Sequence, residues 1–351
     1  MSDFIQLHIL TAYPPSNPNR DDLGRPKTAR MGGVDRLRIS SQSLKRAWRT
    51  SEKFEESLAG NIGTRTKLLG VKAYDVLLGK GVKEKDALEW AKLIAAQFGK
   101  CKSKDKKNKL VELEIDQLVH VSPSEQKNVD GLLDKLVDED RAPEKEDLEL
   151  LRKNTQAVDI SLFGRMLASS PKFNVEAAAQ VSHAITVNQI VVEDDYFTAV
   201  DDLNNNEEDT GSAHIGESAF GAGVFYIYIC INKSLLLRNL EDNLELANNS
   251  LSALTEAALT ITSSGKQNSY ASRAFASFAL AEKGPQQPRS LAVSFLDPIK
   301  EAAQDKAAIA RLKIQNENMD KVYGACADSR YEINALTGEG SLDEMLKFVT
   351  S

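Results

Sequence analysis

The run VFYIYICI, residues 224–231, sets the fold class. Phe225, Ile227, Ile229 and Ile231 alternate there with Tyr226, Tyr228 and Cys230. Such period-two alternation belongs to a strand with one face on a core. Three further segments repeat it. In Phe4–Leu10, Ile5, Leu7 and Ile9 alternate with Gln6 and His8; in Ala157–Phe163, Val158, Ile160 and Leu162 alternate with Asp159 and Ser161; in Ser290–Leu296, Leu291, Val293 and Phe295 alternate with small residues. Two amphipathic helices match the apolar faces. One opens at Ser40-Ser41, a hydroxyl pair suited to an N-cap, and puts Leu44, Ala47 and Trp48 on one side. The other, over 241–262, spaces Leu244, Ala247, Leu251, Leu254, Ala258 and Ile261 by threes and fours, with Gly265 beyond as a stop.

In chain order this predicts strand, helix, strand, strand, helix, strand. The expected class is α+β: a ferredoxin-like βαββαβ sheet, the order shared by the RNA recognition motif. The expected sheet domain comprises residues 1–55, 156–168 and 223–300. Residues 56–155 read as a helical insertion, with Ala87, Trp90, Ala91, Ile94 and Phe98 on one stripe, Leu132, Leu133 and Leu136 on another, and Lys100–Lys109 as an exposed loop. Residues 169–222 read as a hairpin arm. Its β-branched runs, Ile185–Val192 and Tyr196–Val200, lead into a turn through Asn204–Gly211, and residues 193–209 hold eight acidic groups and no basic one. A lone hairpin of that length is marginal in water, which points to a partner. Residues 301–351 form a helical and extended region expected to close on the sheet.

The chain has 351 residues, 42% hydrophobic and 27% charged, the composition of a globular protein rather than a disordered one. No apolar run approaches a membrane span, and Met1-Ser2-Asp3-Phe4 lacks the order of a signal peptide; a cytoplasmic location is expected. Cys101, Cys230 and Cys326 are too widely spaced for a zinc site or disulfide framework. The net charge of −7 hides an asymmetry: the first fifty residues carry nine Lys or Arg against four Asp. A basic quarter on an acidic body implies one surface built for an anion.

The four histidines include no metal-binding pair, and no GxSxG or Walker motif occurs; no metal or cofactor is implied. His214, in Gly211–Gly216, could serve as a base in RNA cleavage or bond phosphate. The strongest motif is Met31–Arg49, MGGVDRLRISSQSLKRAWR. Gly32 and Gly33 permit close backbone approach. A helix start near Ser40–Gln42 offers amides and the positive end of a dipole. Ser40, Ser41, Gln42 and Ser43 add neutral donors, and Lys45, Arg46 and Arg49 add charge.

GGVDRLRISSQSLKRA (32–47), preceded by Asn19-Arg20-Asp21-Asp22, resembles the CasC family, the backbone subunit of the type I-E CRISPR Cascade complex. VDISLFGRMLA (158–168), SHAIT (182–186), YFTAVDDL (196–203), GSAHIG (211–216), GVFY (223–226) and Gly265-Lys266-Gln267 followed by Tyr270 resemble family stretches in the same order. The resemblance implies a palm, a helical finger and a hairpin thumb. It implies a non-catalytic protein whose copies line up along a CRISPR RNA, grip its sugar–phosphate backbone and displace one base at intervals, leaving the others to pair with a target DNA strand. Its partners would be CRISPR RNA, target DNA, copies of itself and the other Cascade subunits; no membrane is involved. Carried over by position, Arg20, Lys27, Ser40, Gln42, Lys45, Arg46 and Arg49 would hold RNA phosphates. Met166 would be the wedge, with Arg165 beside it, and Phe197 and Thr198 would lie in the thumb at the kink. His214, Lys266 and Gln267 complete the expected contacts. Tyr226 and Tyr228 resemble a base-stacking platform but are read as structural. Two other readings stay open: a metal-independent endoribonuclease of the same repeat-associated superfamily, with His214 as base, and an oligomerising scaffold without RNA.

Overall fold

A computed structural model describes residues 3–199 and 214–351, with the side chains of Ala199, His214 and Ile215 outside the description. Asp201-Asp202 and the turn through Asn204–Gly211 lie outside the described residues. The strands are β1 (Phe4–Ser16), β2 (Thr28–Met31), β3 (Val34–Ile39), β4 (Thr64–Thr66), β5 (Val119–Val121), β6 (Ala179–Val181), β7 (Ala184–Thr186), β8 (Glu193–Ala199), β9 (His214–Asn232), β10 (Ala276–Gly284) and β11 (Ser329–Asn334). The α-helices are α1 (Ser41–Arg49), α2 (Glu52–Ser57), α3 (Leu69–Gly79), α4 (Glu84–Phe98), α5 (Pro123–Glu139), α6 (Val158–Phe163), α7 (Lys233–Asn239), α8 (Leu244–Thr260), α9 (Gln267–Tyr270), α10 (Gln304–Tyr323) and α11 (Leu342–Thr350). They divide between two compact units: residues 1–54, 180–231 and 251–351 form the first, and residues 55–179 and 232–250 the second. Among the described residues no helix is long and apolar enough to cross a membrane.

The first unit is built on a sheet of order β11-β10-β1-β9-β7-β3-β2, with β8 also paired to β9. Pairs β1–β10, β10–β11 and β7–β9 are antiparallel. Strands β10, β1, β9 and β7 therefore stand in the order fourth, first, third, second of a βαββαβ chain whose helices are α1 and α8. The α+β class and the βαββαβ order are as expected. Alternation in β1 and β9 is also as expected, with Ile5, Leu7, Ile9, Phe225, Ile227, Ile229 and Ile231 all buried.

The polar face of this sheet is buried too, a feature that alternation does not reveal. Leu10, Tyr226, Phe278 and Leu280 pack with Leu291, Phe295 and Ile299 and with Ala308, Ile309 and Leu312 of α10. Burying the polar groups of β1, β9 and β10 there is offset by hydrogen bonds, although Arg289 Nε is left without a partner. The Tyr228 hydroxyl donates to Gln6 Oε1 at 2.7 Å, and the Tyr226 hydroxyl lies 2.8 Å from His8 Nδ1. His8 Nε2 lies 3.2 Å from Glu282, which also takes Arg330 Nε at 2.7 Å and an ion pair from Arg289. Both tyrosines are thus structural.

Two expected strands fold otherwise. Val158–Phe163 is helix α6 of the second unit, with residues 158–162 all buried. Six residues cannot distinguish period two from a helix buried on every side. Buried Asp159 decides it: its carboxylate accepts from the Gly63 amide at 2.8 Å and pairs with His120 at 2.7 Å. Gly164, at φ +79°, ends the helix. Within Ser290–Leu296, Ala292–Phe295 is a 3₁₀ turn begun by the Ala292 amide donating to the Ser290 hydroxyl at 3.1 Å. The second and fourth strands of the sheet are supplied instead by β7 and β10.

The second unit is helical. Leu69, Leu77, Trp90, Ile94, Phe98, Leu132, Leu133 and Leu136 form its core; the stripes of α4 and α5 are as expected, and α3 joins them unforeseen. Helix α5 starts with a full capping box between Ser122 and Glu125. Residues 103–109 are exposed, as expected of the lysine-rich loop.

Candidate nucleic-acid interface

The start of α1 is assembled from three separate segments. Asp21 Oδ1 accepts from the amides of Leu23 and Arg25, folding residues 19–27 into a compact loop. The Lys27 amide returns to the Asn19 carbonyl at 2.8 Å, and Asn19 Oδ1 accepts the Ser40 amide at 2.9 Å. Ser40 is the N-cap, its hydroxyl oxygen accepting from the Ser43 amide at 3.3 Å. In the β3–β7 register Ile39 faces Ala184, which carries His183 to the helix start. There His183 Nδ1 accepts the Ser41 amide at 2.9 Å. Among the described residues, the Gln42 amide of this turn has no partner.

Charge converges on the same point. The His183 pKa lies below its ordinary 6.5, first through partial desolvation of a residue that stays open to solvent and then through the positive charges of Arg38, Lys27 and Lys45. The arrangement joins a helix N-terminus, neutral donors and three cations, as phosphate recognition requires. Leu44 and Trp48 are buried and anchor the helix, while Gln42 and Arg46 are exposed and Lys45 and Arg49 half-buried. Arg38 and His183 were not among the expected contacts. The SHAIT stretch contains His183, but its bond to a helix start 142 residues away has no local signal.

A cleft of about 470 Å³ adjoins this region, bounded by Asn19, Arg20, Ser43 and Gly265 together with the carboxyl-bearing Asp21 and Asp22. The expected residues Arg20 and Ser40–Lys45 thus lie in one neighbourhood with the Gly265-Lys266-Gln267 segment. A Cβ on Gly265 would fall 2.3 Å from the Pro18 carbonyl oxygen, so only glycine lets these two strands of chain meet. Gln267 is a latch, its Nε2 donating to the Ser263 carbonyl at 2.9 Å and to Thr262 Oγ1 at 3.2 Å. Lys266 is half-buried in the left-handed conformation at φ +46°.

Two expectations change. Gly32 and Gly33 do not open a ligand site; at φ +61° and +79° they make the β2–β3 turn, and a Cβ on Gly32 would meet the Leu296 carbonyl oxygen at 1.6 Å. Arg36 is buried and structural, its guanidinium donating to the carbonyls of Thr186 and Phe295, each at 2.9 Å. Arg165, expected beside the RNA, is turned inward with its side chain 1% exposed. It bonds Glu125 at 2.6 Å and the carbonyls of Arg152 at 2.8 Å and Phe173 at 3.2 Å. A side chain at the end of a helix can either face water or tie that end down, and the buried carboxylate of Glu125 draws this one in.

Met166, next in the chain, is 82% exposed. It borders an apolar cavity of about 200 Å³ in the second unit, formed with Phe98, Ile115, Leu118 and Val119. On the hairpin arm, Phe197 pairs with Gly216 and Thr198 with Ile215. The Phe197 ring covers Gly216, where a Cβ would approach it to 2.4 Å, and Thr198 is exposed. His214 pairs with Ala199 through the backbone, and its side chain lies outside the described residues.

The sheet and the helix start together define an α+β protein with basic side chains gathered at a helix N-terminus. The CT1975-like protein family matches residues 5–345, and the chain belongs to that family, in agreement with the CasC-type resemblance of its motifs. It is similar to a chain of a solved "CRISPR RNA-guided surveillance complex, pre-nicking", with 28% identity, a TM-score of 0.81, and coverage of 99% of this chain and 100% of the other. It shares its fold with a chain of a "CRISPR RNA-guided surveillance complex" at 22% identity and a TM-score of 0.73, covering 98% and 99% of the two chains. No curated protein matches it in sequence.

Proposed function

We propose that the protein is the non-catalytic, CRISPR RNA-binding backbone subunit of a type I-E Cascade surveillance complex in the cytoplasm. The observation that carries this is the convergence of Lys27, Arg38, Lys45 and His183 on the start of α1, in a chain whose whole length is similar to a surveillance-complex chain. Phosphate contacts are blind to base sequence, and a holder of varied spacers needs that blindness. Arg20, Lys27, Ser40, Gln42, Lys45, Arg46 and Arg49 hold successive phosphates, with Lys266 next in the chain to Gly265 of the cleft. Met166 is the wedge beside a displaced base, since an apolar side chain on a base face tolerates any sequence. The arm over 169–222, bearing Phe197, Thr198 and His214, is the thumb, and residues 56–155 are the finger. Copies of the chain line up along the RNA, joined by the other Cascade subunits, and the exposed bases pair with a target DNA strand.

Co-purification, followed by sizing and sequencing of the bound RNA, tests this. The expected result is intact RNA of CRISPR repeat and spacer sequence with several protein copies on each. RNA cut at a fixed repeat position by this protein alone would establish the endoribonuclease instead, and absence of RNA would leave a scaffold.

A further inference from the structure

We propose that His183 is itself an RNA contact, a neutral donor whose Nε2–H holds a phosphodiester oxygen at the start of α1. The inference rests on the RNA-backbone reading above and adds a residue to it. Its basis is the tautomer. Nδ1 accepts the Ser41 amide at 2.9 Å, so the single proton of the neutral ring sits on Nε2. A second proton would have to enter at Nδ1, directly against that N–H. Arg38, Lys27 and Lys45 oppose the same protonation electrostatically, and the residue is exposed. The ring is therefore held as a donor, within the electrostatic reach of three cations that also attract an anion. In the first turn of α1 the Ser41 and Ser43 amides are already taken by His183 and Ser40. That leaves the Gln42 amide for a phosphate, and His183 replaces the donor it withdraws from the helix by presenting Nε2–H in its place.

A neutral donor and a cation differ in how they respond to salt. Each Lys or Arg that neutralises a phosphate on a single strand contributes about −0.7 to the slope of log affinity against log salt, and a neutral donor contributes none. The test uses the full-length protein with poly(U) RNA across a salt series, alongside thermal melting. Asn places an acceptor near the Nδ1 position and lacks the outer donor; Gln extends an amide donor towards the Nε2 position and gives up the acceptor for Ser41. H183N is expected to melt as the unsubstituted protein does and to bind about five- to tenfold more weakly at every salt concentration, with an unchanged slope. H183Q is expected to keep more of the affinity than H183N, even if it melts earlier. A residue that only caps the helix gives the reverse order, and that order overturns the proposal, as does a slope that becomes shallower in H183N. If the unsubstituted protein does not bind poly(U), the RNA-backbone reading itself fails; if it binds and H183N binds equally well, only the role of His183 fails.

Discussion

Replacing Arg165 with Met separates a structural arginine from an RNA-binding one. The guanidinium bonds the Glu125 carboxylate at 2.6 Å and the carbonyls of His120, Arg152 and Phe173 at 3.3, 2.8 and 3.2 Å. Met fills most of the volume, so the loss is electrostatic and not a cavity. Breaking a buried pair by removing one partner typically costs 3–5 kcal/mol, because the other charge stays buried. Glu125 keeps three donors, the Ser122 amide at 3.0 Å, the Ser122 hydroxyl at 2.9 Å and the Arg152 amide at 2.8 Å. The cost accordingly falls near the lower end, about 3 kcal/mol. For a folding unit of this size that lowers the melting temperature by ~6–12 °C. Urea or thermal denaturation of R165M reads the loss, and RNA affinity is measured on the folded protein well below its melting point. The expectation is a destabilised protein with unchanged affinity. Normal stability with lost RNA binding would refute the reasoning and return Arg165 to the RNA surface.

Reversing charge in K45E/R49E abolishes RNA loading whatever the spacer sequence, measured by co-purification with several spacers, because phosphates carry no base information; loss confined to some spacers would contradict backbone recognition. Acid lowers stability in two stages. Burial holds His8 below its ordinary 6.5, so the folded state binds fewer protons there, and stability is lost as pH falls from 6.5. Burial alone would raise the Glu282 carboxyl from 4.5, but hydrogen bonds from His8 and Arg289 outweigh it and hold it well below the usual range; its contribution is lost as pH falls below 4.5. Melting temperatures across pH 7 to 3 in the unsubstituted protein and H8Q check this, with the first stage absent in H8Q.

Local pattern was enough for those features whose cause lies within a few residues. The N-cap at Ser40, the buried stripe of Leu44 and Trp48, the alternation of β1 and β9, and the apolar faces of α4 and α5 all follow from side-chain spacing along one element. The family motif and its excess of positive charge were likewise legible, since both are properties of a continuous stretch. Six-residue runs such as Val158–Phe163 were not, because an element buried on all sides carries no amphipathic period. Nor could position in the chain tell Arg36 and Arg165, which bond buried carbonyls and a carboxylate, from Lys45 and Arg46 at the helix surface.

The sequence by itself determined the α+β class, the helix start at Ser40 and the family to which the chain belongs. Only the tertiary structure decided which strands complete the sheet, which of the basic residues face outward, and that His183 joins them. The physical reason is distance along the chain: Ile39 meets Ala184 through strand pairing. Hydrogen bonds between segments so far apart are chosen by the packing of the whole sheet, and no local spacing encodes them.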